Sequence, residues 1–298
     1  MKLLLLICLL FACTTTWHSE QPASHSTELS HKSMRYTTLI EPFRDHNGFI
    51  LAEKCDSLLF SGLYSAAVGG TNILAAYDGS RWHRRPAHDC SPTLGNSRST
   101  ISRDMILGLL WSIWKNKNLD IANQLMSDLR SKAYYLRGEG TPGELFMTPA
   151  LINTLARIIQ GLGGVTHSFE LSFRADISSK TGYISHLAVW HILLRGDITG
   201  KIPQKHFDLL SYHAKRNPLN PLFQAAYHKY LDKDQTIAIK LLLDKAEWPN
   251  ITLPTSEQHC SEWVIQRDYT EKDWGPCTPT RYHLGAELPI MYNLIIAS

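Results

Sequence analysis

Residues 102–114 read SRDMILGLLWSIW, and this stretch decides the fold class of the chain. Its apolar side chains recur at steps of three and four residues, which is the period of an amphipathic α-helix. Ser102 precedes the apolar stripe and is a candidate N-cap. A short polar turn at 115–118 leads into a second helical stripe at 121–129. The two helices are therefore expected to form an antiparallel hairpin.

The same helical spacing dominates the chain from residue 41 onward. Further helices are predicted at 58–67, 72–77, 149–159, 183–194, 203–215, 221–231, 235–245 and 286–296, whereas 161–182 is irregular with a short β-hairpin at 168–174. Long loops at 79–101, 137–147 and 248–285 alternate with short turns. A closed α/α toroid has this asymmetry, while an open solenoid has more uniform loops. We therefore expect an all-α fold, specifically an (α/α)6 toroid with minor β-hairpins in its loops.

Composition excludes several classes of protein. The 298 residues include 44% hydrophobic and 19% charged residues, which is typical of a folded globular chain and not of a disordered one. The 30 Lys and Arg exceed the 27 Asp and Glu by only three, so no nucleic-acid partner is predicted. The chain contains no nucleophile-elbow, phosphate-loop or dinucleotide-binding motif, and no cofactor is expected.

The N-terminus has the layout of an export signal. One basic residue is followed by an apolar run at 3–10, which is too short for a membrane-spanning helix. Ala12 and Cys13 then resemble the lipobox of bacterial lipoproteins, in which the cysteine is lipidated. We expect a signal peptide at 1–12, a lipid-proximal tether at 13–40 and a single domain at 41–298, located in the outer membrane as a lipoprotein or in the periplasm. A plain cleaved signal peptide is the alternative.

Four cysteines remain in the exported chain beyond Cys13. Their even number favours two disulfides, and the pairing of neighbours in sequence is preferred among the three possible ones. The predicted bonds are Cys55–Cys90 and Cys260–Cys277. No Cys-x-x-Cys spacing is present, so no metal site is predicted.

Several segments together resemble bacterial proteins of the six-hairpin glycosidase-like class, the (α/α)6 toroids. These segments are 56–63 (DSLLFSGL), 78–79 (DG), 102–108 (SRDMILG), 220–223 (NPLF) and 283–287 (HLGAE). The resemblance extends from about residue 45 to the end of the sequence. It implies cleavage of carbohydrate by hydrolysis or elimination in a cleft lined with acidic and aromatic side chains.

Carboxylates at helix starts are the candidate catalytic groups. Asp56 and Asp104 each stand at the start of a strongly apolar helix, and glycoside hydrolysis needs one carboxylic acid and one carboxylate. A helix N-terminus stabilises the ionised form, which suits a base better than an acid. Glu139 and Glu144 bracket a glycine-rich loop, and Glu144 is the candidate acid, with a solvated loop charge as the alternative. The alternative is that each aspartate is an ordinary helix-capping acid.

A basic and aromatic stretch at 81–89 supplies candidate substrate contacts. Trp82 could stack on a sugar face, and Arg84, Arg85 and His88 could bind carboxylates or sulfates of an acidic glycan. Arg103 beside Asp104 belongs to the same candidate set. A membrane-headgroup contact or a merely exposed basic loop are the alternatives.

The end of the chain supplies the remaining candidates. His283 and Glu287 are spaced to share one helix face, and Trp274 lies on a long loop that could shape a cleft. Tyr282 with His283 could instead serve a polysaccharide lyase. The sequence therefore predicts an exported protein that acts on an oligo- or polysaccharide, with a glycoside hydrolase as the leading possibility. The alternative is a non-enzymatic surface lipoprotein that binds a glycan or a partner protein and meets the membrane only through its lipid.

Overall fold

The computed structural model describes residues 22–50, 57–87, 101–136, 145–178, 185–243 and 286–298. These residues are mostly helical, which confirms the all-α class. The helices are α1 (Pro22–Ile40), α2 (Ser57–Ala67), α3 (Arg103–Lys115), α4 (Leu119–Ser131), α5 (Pro149–Gly161), α6 (Ser168–Ser172), α7 (Ser185–Thr199), α8 (Gln204–Arg216), α9 (Pro221–Leu231), α10 (Thr236–Leu243) and α11 (Glu287–Met291). A π-helical turn, Tyr292–Ile296, continues α11.

Helices α2 and α3 are the most closely packed pair. A Cβ atom on Gly62 would lie 2.3 Å from the carbonyl oxygen of Gly108, so only glycine permits this approach. One helical turn further along both helices, the Ser112 hydroxyl donates to the Ser65 hydroxyl at 3.1 Å. Residue numbers increase together along both helices, so α2 and α3 are parallel. The same register sets Ser57 level with Arg103, and the two helices begin at one end of the molecule.

Helix α7 also packs against α3 and runs parallel to it. The Trp111 indole N–H donates to the Trp190 carbonyl at 3.1 Å, and the Trp114 indole N–H donates to Asp197 at 2.6 Å. The rings of Trp111 and Trp190 meet edge to face with centroids 5.9 Å apart. Because both indoles are large and mostly shielded from water, these contacts form the centre of the hydrophobic core.

The helices α2, α3, α5, α7, α9 and α11 form a series of neighbours, and the last of them contacts the first. Helix α5 packs against α3 and α7, α9 packs against α7 and the π-helical turn, and α11 packs against α2. Tyr230, near the end of α9, lies against Gly196 near the end of α7, so the C-terminal ends of these two helices meet. The other helices pack against members of this series or against each other: α4 and α6 contact α5, α8 and α10 contact α9, and α1 contacts α10 and α11.

Helix starts follow the sequence signals closely. The Thr148 hydroxyl accepts from the Leu151 amide with Pro149 at the first position of α5, and Asn220 caps α9 in the same way before Pro221. Ser102 occupies the predicted N-cap position of α3, but its side chain makes no capping hydrogen bond. The predicted helix positions of α2, α3, α4, α5, α8, α9 and α10 are confirmed to within a few residues.

Two expectations are wrong. The predicted tether at 13–40 contains α1 from Pro22, whose Leu29, Tyr36 and Ile40 are fully or nearly fully buried. Residues 168–174 form the short helix α6 and not a hairpin. A two-stranded sheet occurs instead between β1 (Tyr135–Leu136) and β2 (Leu145–Phe146), with an antiparallel register. Among the helices in the described segments, none combines the length and apolar character that crossing a bilayer requires.

Candidate active site at the N-terminal ends of α2 and α3

Asp104 lies in the first turn of α3, at the end that α3 shares with α2. Its carboxylate accepts a hydrogen bond from the Ser102 hydroxyl, so Ser102 orients the aspartate and does not cap the helix. Asp104 is partly buried. The structure therefore places this predicted carboxylate at a helix start where ligand and solvent can reach it.

Arg103 joins the start of α3 to the start of α5. Its Nε and Nη2 atoms donate to the Phe146 carbonyl at 3.1 and 3.0 Å. Phe146 ends β2 and precedes Pro149, the first residue of α5, by three residues. The starts of α2, α3 and α5 therefore lie at one end of the molecule. Arg103 is exposed, and no described residue occupies its other N–H groups.

The segment at 77–87 covers the start of α2. The Leu58 amide, one of the first N–H groups of α2, donates to the Arg84 carbonyl at 2.9 Å. Arg84 and Arg85 are partly buried beside this helix start. Two of the predicted basic ligands therefore lie at the same end of the molecule as Asp104.

An aspartate–histidine pair anchors this segment, and sequence reasoning missed it. The His83 Nε2 atom lies 2.6 Å from the Asp78 carboxylate, and His83 is 3% exposed. Asp78 also accepts hydrogen bonds from the Ser80 and Arg81 amides, the Ser80 hydroxyl and the Arg81 Nε atom. Burial would raise the pKa of Asp78, but the bonds from His83, Ser80 and Arg81 outweigh it and lower that pKa. In the sequence, only the five-residue spacing between Asp78 and His83 could have indicated this contact.

Trp82 is more buried than its predicted sugar-stacking role requires. It is 4% exposed, and its ring packs on Tyr77 with centroids 5.1 Å apart. Its indole N–H and the Asp128 Oδ2 atom both lack a hydrogen-bond partner within the described segments, and both residues line a cavity of about 20 Å³. A cavity of that size holds about one water molecule, which could satisfy both groups. In this conformation Trp82 is a core residue that anchors the segment.

The other predicted residues divide into buried ones and ones outside the described part of the chain. Glu287 is 1% exposed in the first turn of α11, which packs against α2. His186 and His191 are buried, as expected for core histidines. Outside the described residues lie Asp56, Glu144, His283, Trp274, His88, Cys13 and the predicted disulfides Cys55–Cys90 and Cys260–Cys277.

A separate cleft of about 380 Å³ opens at the opposite, C-terminal ends of α7 and α9. Lys229 and Asp197 line it, together with Tyr230 and Gln235. The Tyr230 hydroxyl and the Gln235 carbonyl oxygen have no hydrogen-bond partner among the described residues. This cleft lies at the end of the helices remote from Asp104, so the two regions are distinct.

No metal-binding cluster of three or more His, Cys, Asp or Glu side chains occurs within the described residues. Comparison with protein-family models, with curated proteins and with solved structures finds no match for this chain. Function is therefore inferred from the side chains gathered at the starts of α2, α3 and α5.

Proposed function

We propose that this chain is an exported carbohydrate-active protein that cleaves a glycan at the shared N-terminal end of α2 and α3. We also propose that its helices form an (α/α)6 toroid. Support for the toroid comes from the series of contacts that runs through α3, α5, α7, α9 and α11 and returns to α2. Further support comes from the parallel directions of α2, α3 and α7, and from the remaining helices, α1, α4, α6, α8 and α10, which pack against members of this series.

One observation carries the catalytic proposal: the parallel register sets Ser57 level with Arg103. Asp56 directly precedes Ser57 in sequence, and Asp104 directly follows Arg103. We therefore infer that both acids act at one end of the molecule, as an acid–base mechanism requires. An antiparallel pair would have separated them by a helix length.

The local surroundings suit Asp104 to the role of base. A helix N-terminus presents unpaired N–H groups that stabilise a negative charge. The Ser102 hydroxyl adds a donor to the same carboxylate. Glu144 is the proposed acid, since it lies two residues before Phe146, which Arg103 holds beside α3. Arg84, Arg85 and Arg103 would bind the carboxylates or sulfates of an acidic glycan.

The test is a screen of the purified protein against neutral and uronate-containing oligosaccharides, followed by Asp104→Asn. We expect this substitution to abolish cleavage and leave the melting temperature nearly unchanged. Asp120→Asn is a matched control, because Asp120 is also the second residue of its helix, α4, but is exposed and follows the C-terminal end of α3 after a short turn. The catalytic proposal fails if both variants keep full activity, or if Asp104→Asn mainly unfolds the protein.

The products separate the remaining possibilities. New reducing ends with no double bond indicate hydrolysis, and the anomer formed distinguishes retention from inversion. An unsaturated uronate indicates the lyase mechanism with Tyr282 and His283. Tight binding without cleavage indicates the non-enzymatic glycan-binding alternative.

A further inference from the structure

Two arginines from different helices meet at one neutral oxygen atom. The Arg195 Nη1 atom of α7 donates to the Asn153 Oδ1 atom at 2.6 Å, and the Arg157 Nε atom of α5 donates to the same oxygen at 3.2 Å. The two donating nitrogens are therefore no more than about 6 Å apart. Asn153 itself is buried and is fixed by its amide group, which donates to the Leu171 carbonyl at 2.6 Å.

Neither guanidinium group has an acidic partner within the described part of the chain. Each has five N–H donors, and the described residues occupy one on each. The acids on adjoining elements pair with other bases, and these ion pairs are Glu170–Arg130, Asp197–Lys115 and Asp176–Lys205. The two arginines are partly buried, so water screens their mutual repulsion less than it would at a fully exposed site.

The neighbouring histidines add no charge near neutral pH. His191 bonds to the Thr154 hydroxyl at 2.9 Å, and burial, followed by the nearby Arg195, lowers the pKa of His191 to about 3. Burial, followed by Lys205 and Arg195, lowers the pKa of His206 to about 4. Burial, followed by Arg157, also lowers the pKa of Arg195 itself to about 10. At neutral pH the cluster therefore carries the positive charge of both arginines, and no described residue supplies a compensating negative charge.

We propose that Arg157 and Arg195 bind an oxyanion: a carboxylate, sulfate or phosphate group, either on a sugar acid or as a free inorganic anion. Two planar guanidinium groups with unused donors match the geometry of an oxyanion, and arginine forms bidentate bonds with such groups. An anion would also replace the repulsion of two like charges by two attractions. The proposal is independent of catalysis at Asp104, since it involves other residues in the second and third turns of α5 and α7.

The test compares sodium sulfate, sodium phosphate and sodium glucuronate with sodium chloride at matched ionic strength. A ligand that binds only the folded state raises the melting temperature as it saturates its site. We expect a saturable rise of several degrees with at least one oxyanion and none with chloride. Titration calorimetry on the same samples should give a single site.

Variants assign the effect to the arginine pair. Arg195→Gln and Arg157→Gln should each weaken oxyanion binding at least tenfold, whereas Arg195→Lys, which keeps the charge, should weaken it less. Without oxyanion, both Gln variants should melt within a few degrees of the unmodified protein, because each removes a charge that has no acidic partner among the described residues. Lys240→Gln is the charge-matched control, since Lys240 is exposed on α10, which packs against α9 and α1.

Each outcome either identifies the bound anion or overturns the proposal. Stabilisation by sulfate or phosphate alone identifies a free inorganic anion, and stabilisation by glucuronate alone identifies a sugar acid. Chloride-like behaviour of every oxyanion overturns the proposal, as does an equal loss of binding in Lys240→Gln. If Arg195→Gln does not fold, the comparison of Arg157→Gln with Arg195→Lys provides the same test.

Discussion

Replacing Glu170 by Gln should cost this protein several kilocalories per mole at neutral pH and much less in acid. The Glu170 side chain is fully buried in α6, where two nitrogens of Arg130 donate to its carboxylate at 2.8 Å each. The Tyr134 hydroxyl at 2.7 Å, the Thr166 hydroxyl and the His167 amide at 3.1 Å complete its shell. Every oxygen of the carboxylate is therefore engaged.

The size of the expected stability loss follows from the pKa of Glu170. Burial alone would raise the pKa of Glu170, but the bonds from Arg130, Thr166 and Tyr134 lower it from 4.5 to about 2. Each unit is equivalent to about 1.4 kcal/mol, so the ionised carboxylate contributes about 3 kcal/mol at neutral pH. Because the folded pKa lies below the unfolded one, this contribution is complete above about pH 5 and is lost as the pH falls toward 2. At about pH 3 roughly 1.4 kcal/mol remains.

Urea unfolding of the unmodified protein and of Glu170→Gln at about pH 7 and about pH 3 measures this difference. The loss should fall by about half or more between the two conditions. Glu41→Gln is the control, since Glu41 pairs with Arg44 at 2.6 Å but its side chain is 51% exposed. That variant should lose less than about 1 kcal/mol. An equal loss for Glu170→Gln at both pH values would refute the electrostatic account.

Two further substitutions test the packing and the helix caps. Gly108→Ala would put a Cβ atom 2.3 Å from the Leu59 carbonyl oxygen, which is backbone and cannot rotate away, so unfolding studies should show a loss of about 3 kcal/mol or more. Gly161→Ala, whose nearest neighbour is a side-chain atom at 3.0 Å, should cost clearly less, and an equal cost would contradict the reasoning. Thr148→Ala should lose about 1 kcal/mol with its cap on α5, whereas Ser102→Ala, at an N-cap position without a capping bond, should lose less in thermal melts. Equal losses for the two would show that the Thr148 bond does not stabilise α5.

Local sequence signals predicted the helices whose ends are marked by capping residues or prolines. Helix α9 begins and ends at the predicted residues because Asn220 and Pro221 specify its start within two positions. Helix α1 was missed because Ser33 stands in its buried face, where an apolar residue would have made the period visible. Residues 168–174 alternate polar and apolar side chains, as a strand does. Arg130, forty residues away, binds Glu170 in the helical form, and no local pattern reveals that contact.

The candidate sites also divide into those visible in a local sequence pattern and those that only the fold brings together. Asp104 could be singled out because a carboxylate at the start of an apolar helix is visible in the sequence. The pair of Arg157 and Arg195 could not, since 38 residues separate them and only the packing of α5 against α7 brings them to Asn153. Asp78 and His83 are close in sequence, but their contact depends on the turn between them.

The position of α1 has a consequence for how the protein is made. Helix α1 packs against α10 and α11, and the Lys32 ammonium donates to the Leu242 carbonyl at 2.8 Å, across 210 residues of chain. As the chain is made, α1 emerges before α10 and α11, so it cannot bury Leu29 and Tyr36 against them until they have followed it. Docking of α1 onto α10 and α11 therefore joins segments that are far apart in sequence, and it should be a late, slow step of folding.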